Sequence, residues 1–138
     1  MKQTIETKWQ GKMKFLSKVN NHDIIMDAAV ASGGEDGGVL PKPLMVTALA
    51  GCTGMDVVSI LNKMKVQFDE FDVVIETEMT EEHPKHYSSM HIIYKLKGNN
   101  IDKGKVEKAV NLSLEKYCGV NHVYKQVMKI THEIVIGE

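Results

Sequence analysis

The stretch from Leu44 to Leu61 constrains this chain more than any other. It is apolar almost throughout, and Asp56 is its only charged residue. A run of that length either spans a bilayer or forms the central helix of a folded core. Thr47, Thr53, Asp56 and Ser59 interrupt it, and strand-like patterns flank it on both sides. It is therefore read as a core helix, with no membrane as partner. Pro41 and Pro43 suit the first turn of that helix, which runs on to Lys65. Ala48, Ala50, Gly51 and Gly54 allow other elements to approach closely, so packing on several sides is expected. The polar stripe is narrow: Asp56, Ser59 and Lys63, with Cys52 four residues before Asp56 on the same line.

The flanking patterns set the fold class. Ile5, Thr7 and Trp9 alternate with polar residues, as do Met13, Phe15 and Val19 beyond Gly11. The turn Asn20-Asn21-His22 leads to a third short strand over Asp23–Ala28. After the helix, Phe71 to Met79 and Met90 to Leu96 alternate strongly and form a hairpin. Its connection is Glu81-Glu82-His83-Pro84-Lys85-His86. Asp102 caps a second helix, whose apolar face is Val106, Ala109, Val110, Ser113, Leu114 and Tyr117. Gly119 is its expected stop, and Val120–Val127 adds a short helical turn. Ile130, His132, Ile134 and Ile136 make the last strand, with His132 expected in the core. The order is three strands, a long helix, a hairpin, a helix, a short helix and a strand. That is α+β, without the regular alternation of a doubly wound sheet.

Composition narrows the function. A chain of 138 residues reads as a single domain, 1–138. A net charge of -1 gives no general pull toward nucleic acid or anionic lipid. The lysines between Lys95 and Lys108 lack interleaved aromatics and read as a solvated face. All seventeen basic residues are lysine, so no arginine fork is available for carboxylate or phosphate. Met1–Gln10 has no apolar signal core, and the expected location is the cytoplasm. In that reducing setting a pair of cysteines is more often catalytic or redox-active than structural.

Several clusters compete for the chemistry. The loop Ser32-Gly33-Gly34-Glu35-Asp36-Gly37-Gly38 is glycine-rich but acidic, so it reads as a flexible connector and not as a phosphate cradle. Glu81, Glu82, His83 and His86 do not have a zinc spacing and read as a solvated hairpin tip. Ser59 and Ser113 lack a nucleophile-elbow setting. Cys52 and Cys118 remain. Cys52 lies about ten residues into its helix, beyond reach of the N-terminal dipole, so a cation or donor from elsewhere must stabilise its thiolate. Cys118 ends one helix and starts another, where amides of the next turn can meet it; His122 follows one turn later. Each cysteine alone also reads as an inert buried thiol.

The segment Pro41-Lys42-Pro43-Leu44, with Ala48-Leu49-Ala50-Gly51-Cys52-Thr53-Gly54-Met55-Asp56-Val57-Val58, resembles the first cysteine helix of the OsmC/Ohr family. Leu114-Glu115-Lys116-Tyr117-Cys118 resembles its second cysteine motif, and the Glu82-His83-Pro84 hairpin matches a subgroup. The resemblance covers essentially the whole chain. It implies an intertwined homodimer with central helices between two sheets and sites at the interface. It also implies reduction of organic hydroperoxides, with Cys52 as the peroxidatic thiolate and Cys118 as the resolving thiol. The implied partners are a hydroperoxide and an external dithiol, with no cofactor or metal. The family's thiolate-holding arginine and its glutamate fall on Lys12 and Lys42 here, which become the candidate thiolate-stabilising residues. The alternative is an OsmC-like dimer without efficient peroxidase activity, binding a small apolar ligand or sensing redox state at its interface.

Overall fold

The computed structural model describes all 138 residues. The chain divides into two compact units, residues 1–45 and 46–138. The first is an antiparallel meander of β1 (Glu6–Trp9), β2 (Phe15–Val19) and β3 (His22–Met26). The third strand ends at Met26, earlier than the alternation suggested, because Asp27 and Ala28 are drawn into the loop that follows. Val39 returns alongside Met26 as an isolated parallel bridge.

That loop is not a loose connector. Asp27 is 4% exposed and collects its amides: Ala28 N–H donates to Oδ1 at 2.8 Å, while Glu35 and Gly37 N–H donate to Oδ2 at 3.2 and 3.0 Å. The glycines fit this winding closely. A Cβ on Gly34 would fall on the Ala28 carbonyl, and one on Gly38 on the Ile25 carbonyl.

α1 (Pro43–Lys63) starts at Pro43, where the missing N–H has no helical partner to lose. It ends two residues short of the expected Lys65, which turns the chain with φ +60°. In the second unit, β4 (Glu70–Met79) and β5 (Tyr87–Lys97) form the expected hairpin, and β6 (Lys129–Gly137) runs parallel to β5 on its other side. α2 (Lys103–Leu112) is capped by Asp102, whose Oδ1 accepts from Lys105 N–H at 3.2 Å. α3 (Gly119–Tyr124) follows a wide turn over Ser113–Tyr117. Gly119 thus opens a helix, and the stop falls on Cys118, which has extended backbone.

The core of this unit joins Leu49, Val57 and Leu61 of α1 to Met90, Ile92, Tyr94 and Leu96 of β5 and to Val106, Ala109 and Val110 of α2. His132 lies outside it. It is exposed at the rim and meets Tyr94 edge-on, its ring centroid 6.3 Å away.

α1 also departs from expectation in its burial. Its apolar character is real, with a mean hydropathy of 1.8 over an 18-residue window, and it is long and apolar enough to cross a membrane. Yet only Leu49, Thr53, Val57 and Leu61 are buried, one stripe at four-residue spacing. Met55 is 76% exposed, and a Cβ on Gly51 would meet nothing. An all-round apolar pattern reports that a helix tends to be buried; a single chain covers only one of its faces.

Candidate functional site

The polar stripe of α1 lies beside its buried stripe. Residues four apart share a helix face, so Cys52 and Asp56 project together, with Thr53 on the core side of them. Cys118 arrives from the other direction. The turn before it is widened: Cys118 N–H donates to the Ser113 carbonyl at 2.7 Å, a bond spanning five residues instead of four. In an ordinary helix of about 3.6 residues per turn, positions five apart diverge around the axis. The wider turn brings Ser113 and Cys118 back toward the same side, and both meet α1.

The sulfurs of Cys52 and Cys118 and a carboxylate oxygen of Asp56 all lie within 4.8 Å of one another. Both cysteines are free thiols. Cys52 is half-buried, whereas Cys118 is 3% exposed. Cys118 caps α3, its sulfur accepting from Asn121 N–H at 3.4 Å. As expected, this amide lowers the Cys118 thiol, but the rest of its surroundings outweigh it. Burial pushes the thiol up to about 11, the Cys52 sulfur and the Asp56 charge push the same way, and the amide offsets only part of that.

Asp56 is held by a chain of hydroxyls. Ser113 Oγ donates to Asp56 Oδ2 at 3.0 Å, Thr53 Oγ1 lies 2.7 Å from Ser113 Oγ, and Tyr94 OH lies 2.8 Å from Thr53 Oγ1. Each hydroxyl carries one proton. Ser113 spends its proton on the carboxylate, so Thr53 must donate to Ser113 and Tyr94 to Thr53. All three dipoles therefore point at Asp56 and reinforce one another. Thr53 and Ser113 are fully buried, and burial raises the Tyr94 phenol to about 12. No lysine or histidine forms an ion pair with Asp56. A cleft of about 310 Å³ opens beside it, lined by Asp56, Ser59, Ile60, Lys63, Leu112 and Tyr117.

The other candidates are placed as follows. Lys12, in the first unit, sits at φ +48° in the turn between β1 and β2, its ammonium 3.8 Å from Glu35. Lys42 is exposed in the turn that leads into α1. His83 and His86 are exposed at the hairpin tip, as expected. His122 is exposed, and its backbone N–H donates to the Cys118 carbonyl at 3.0 Å. Thr53, Ser113, Tyr94 and Asn121 were not singled out for the site by the sequence. The signal for Thr53 was its place beside Cys52; Ser113 gave none, because the widened turn breaks the helical spacing that would have aligned it.

Residues 33–133 match the family described as OsmC-like protein. The chain belongs to the OsmC-like protein family. Protein YhfA of Escherichia coli K12 is 32% identical over 128 residues, covering 91% of each OsmC-like chain. A hypothetical protein from Aquifex aeolicus has the same fold with a TM-score of 0.87 and 27% identity, covering 100% of this OsmC-like chain and 98% of its own. The organic hydroperoxide resistance protein OhrB of Bacillus subtilis shares the fold alone: TM-score 0.64 and 14% identity, over 95% of this chain and 96% of its own.

Proposed function

We propose that this OsmC-like chain is a cysteine-based thiol peroxidase that reduces organic hydroperoxides. The observation that carries the reading is the meeting of two free thiols from different elements within 4.8 Å. Family membership and structural relatives named for organic hydroperoxide resistance support it.

The environments of the two thiols support a division of roles. Cys52 is half-buried, whereas Cys118 is buried, so Cys52 is the thiol that a hydroperoxide reaches and that attacks its terminal oxygen. The O–O bond breaks, the alcohol leaves with a proton, and Cys52 becomes a sulfenic acid. Cys118, buried and protonated, waits for that intermediate. Its sulfur displaces water and closes a Cys52–Cys118 disulfide. An external dithiol then restores both thiols by exchange. Lys12 and Lys42 have no step in this scheme.

The chain works as a homodimer in the cytoplasm under this reading. The exposed apolar side of α1 supports a second copy, as does the adjoining groove of about 410 Å³ lined by Gly51, Gly54, Met55, Val58, Phe71 and Val73.

Asp56 also favours a second reading. A carboxylate beside two thiols opposes thiolate formation, which suits a pair that senses oxidants or flanks a ligand cavity without rapid turnover. One assay separates the two: consumption of cumene hydroperoxide by the full-length chain with a dithiol reductant, in the presence of EDTA. The expected result is turnover in the wild type that Cys52→Ser abolishes, while Cys118→Ser reacts without forming the internal disulfide. Absence of turnover in the wild type, or equal turnover in Cys52→Ser, overturns the peroxidase reading.

A further inference from the structure

Cys52, Cys118 and Asp56 form more than a redox pair with a neighbouring base. They bring two sulfurs and one carboxylate oxygen, each a ligand atom, inside 4.8 Å of one another, in a setting between half-buried and buried. All three groups are neutral or negative, and no ammonium or imidazolium pairs with Asp56. Lys63, the cation on the wall of the adjoining cleft, does not pair with Asp56 and leaves its carboxylate open to a ligand.

We propose that the reduced chain binds one zinc-class divalent ion through Cys52 Sγ, Cys118 Sγ and the Asp56 carboxylate. The donor set decides the class of ion. Two thiolates select a borderline-soft ion over magnesium or calcium, which prefer oxygen alone. Tetrahedral zinc, with bonds of about 2.3 Å to sulfur and about 2.0–2.2 Å to oxygen, holds its ligand atoms roughly 3.5–3.8 Å apart. Small side-chain rotations close the observed triangle to that size.

The surroundings match what such a site requires. Asp56 is oriented by Ser113, and Ser113 by Thr53 and Tyr94, a buried outer shell that fixes the carboxylate. Cys118 is fixed by the Asn121 amide. Three protein ligands leave a fourth position for water or a small anion. Cys52 and Asp56 are only half-buried, and Asp56 lines a cleft open to solvent. On binding, each thiol releases one proton to solvent and no electrons move. Two thiolates and one carboxylate then face a charge of +2. The same two sulfurs cannot hold the ion and form a disulfide, so metal and disulfide exclude each other.

The inference uses the thiols of the peroxidase reading but does not depend on turnover, because binding is read without a hydroperoxide. The test is a cobalt(II) titration of the full-length chain, fully reduced, stripped with EDTA, freed of chelator and kept anaerobic. The expected result is a sulfur-to-cobalt charge-transfer band that saturates at one ion per chain and disappears when zinc is added. Cys52→Ser and Cys118→Ser lose the band. Asp56→Asn weakens binding at least tenfold, and Ser113→Ala weakens it by about tenfold as the outer shell is lost. Far-UV circular dichroism confirms that each variant is folded. If a cysteine variant unfolds, the wild type oxidised to its disulfide replaces it and is expected not to bind. No band at one equivalent in the wild type overturns the inference. So does a band that survives in folded Cys52→Ser or in the disulfide form, or unchanged affinity in Asp56→Asn.

Discussion

Asp27 and Asp56 are aspartates in different units, and the chain treats them in opposite ways. Asp27 is surrounded by donors. Three backbone amides meet its two oxygens, and the Gly37 amide does most to hold its carboxyl below the ordinary carboxylate value. Burial opposes this, and the Ala28 and Glu35 amides and the Lys14 charge assist it. Asp56 receives one hydroxyl, lies beside two sulfurs and lines a cleft. A carboxylate with a full set of donors has nothing left to offer a ligand, and its work is to wind a loop. A carboxylate with one donor keeps lone pairs for a proton or an ion. The difference marks Asp27 as architecture and Asp56 as chemistry.

The largest effect that tests this contrast is expected from Asp27→Ala, which leaves three amides of a tight loop without their acceptor. The melting temperature should fall by several degrees. The pH dependence has a definite sign. A lowered carboxyl contributes stability above its ordinary value of 3.8, and that contribution is lost as pH falls through the lower folded value. Wild-type thermal melts should therefore weaken in acid below about pH 4, and the variant should lose much of that dependence. Equal melting temperatures at neutral pH would break the contrast from the architectural side.

An intermediate effect concerns the sulfurs beside Asp56. The Cys118 thiol is raised from 9.0 to about 11, so the folded chain holds its proton longer than the unfolded chain does. Its contribution is complete below pH 9 and is lost as pH climbs toward about 11. Tyr94, raised from 10.0 to about 12, extends the loss at higher pH. Iodoacetamide near pH 8 should label Cys52 well before Cys118, as read by peptide mass. Equal labelling would show that the two thiols are not differentiated.

The smallest effect is expected from Asp56→Asn. The amide oxygen still accepts from Ser113, so stability should change by no more than about 0.5 kcal/mol. A loss as large as that of Asp27→Ala, measured by the same melts, would remove the distinction.

Much of this was legible in the sequence. Period-two alternation marked the strands, and Pro43 marked the start of α1. The Cys52–Asp56 stripe followed from four-residue spacing alone. The bond from Asp27 to its loop was not legible, because glycines and acidic residues in a row signal solvent, and the acceptor that orders them lies eight and ten residues upstream. Ser113 carries no nucleophile motif, and its role is to hold another side chain. His132 alternated with isoleucines, yet it falls at the rim of its sheet, and alternation cannot tell rim from centre. The single buried stripe of α1 reflects a limit of another kind: hydrophobicity says that a face is to be covered, not by which chain.

The widened turn over Ser113–Tyr117 makes the site depend on chain length as well as on side-chain identity. One residue removed there would restore a regular helix and swing Cys118 by about 100° around its axis. Every ligand atom and both thiols would still be encoded, but they would no longer meet. In this protein the spacing between two positions is as much a part of the site as any functional group.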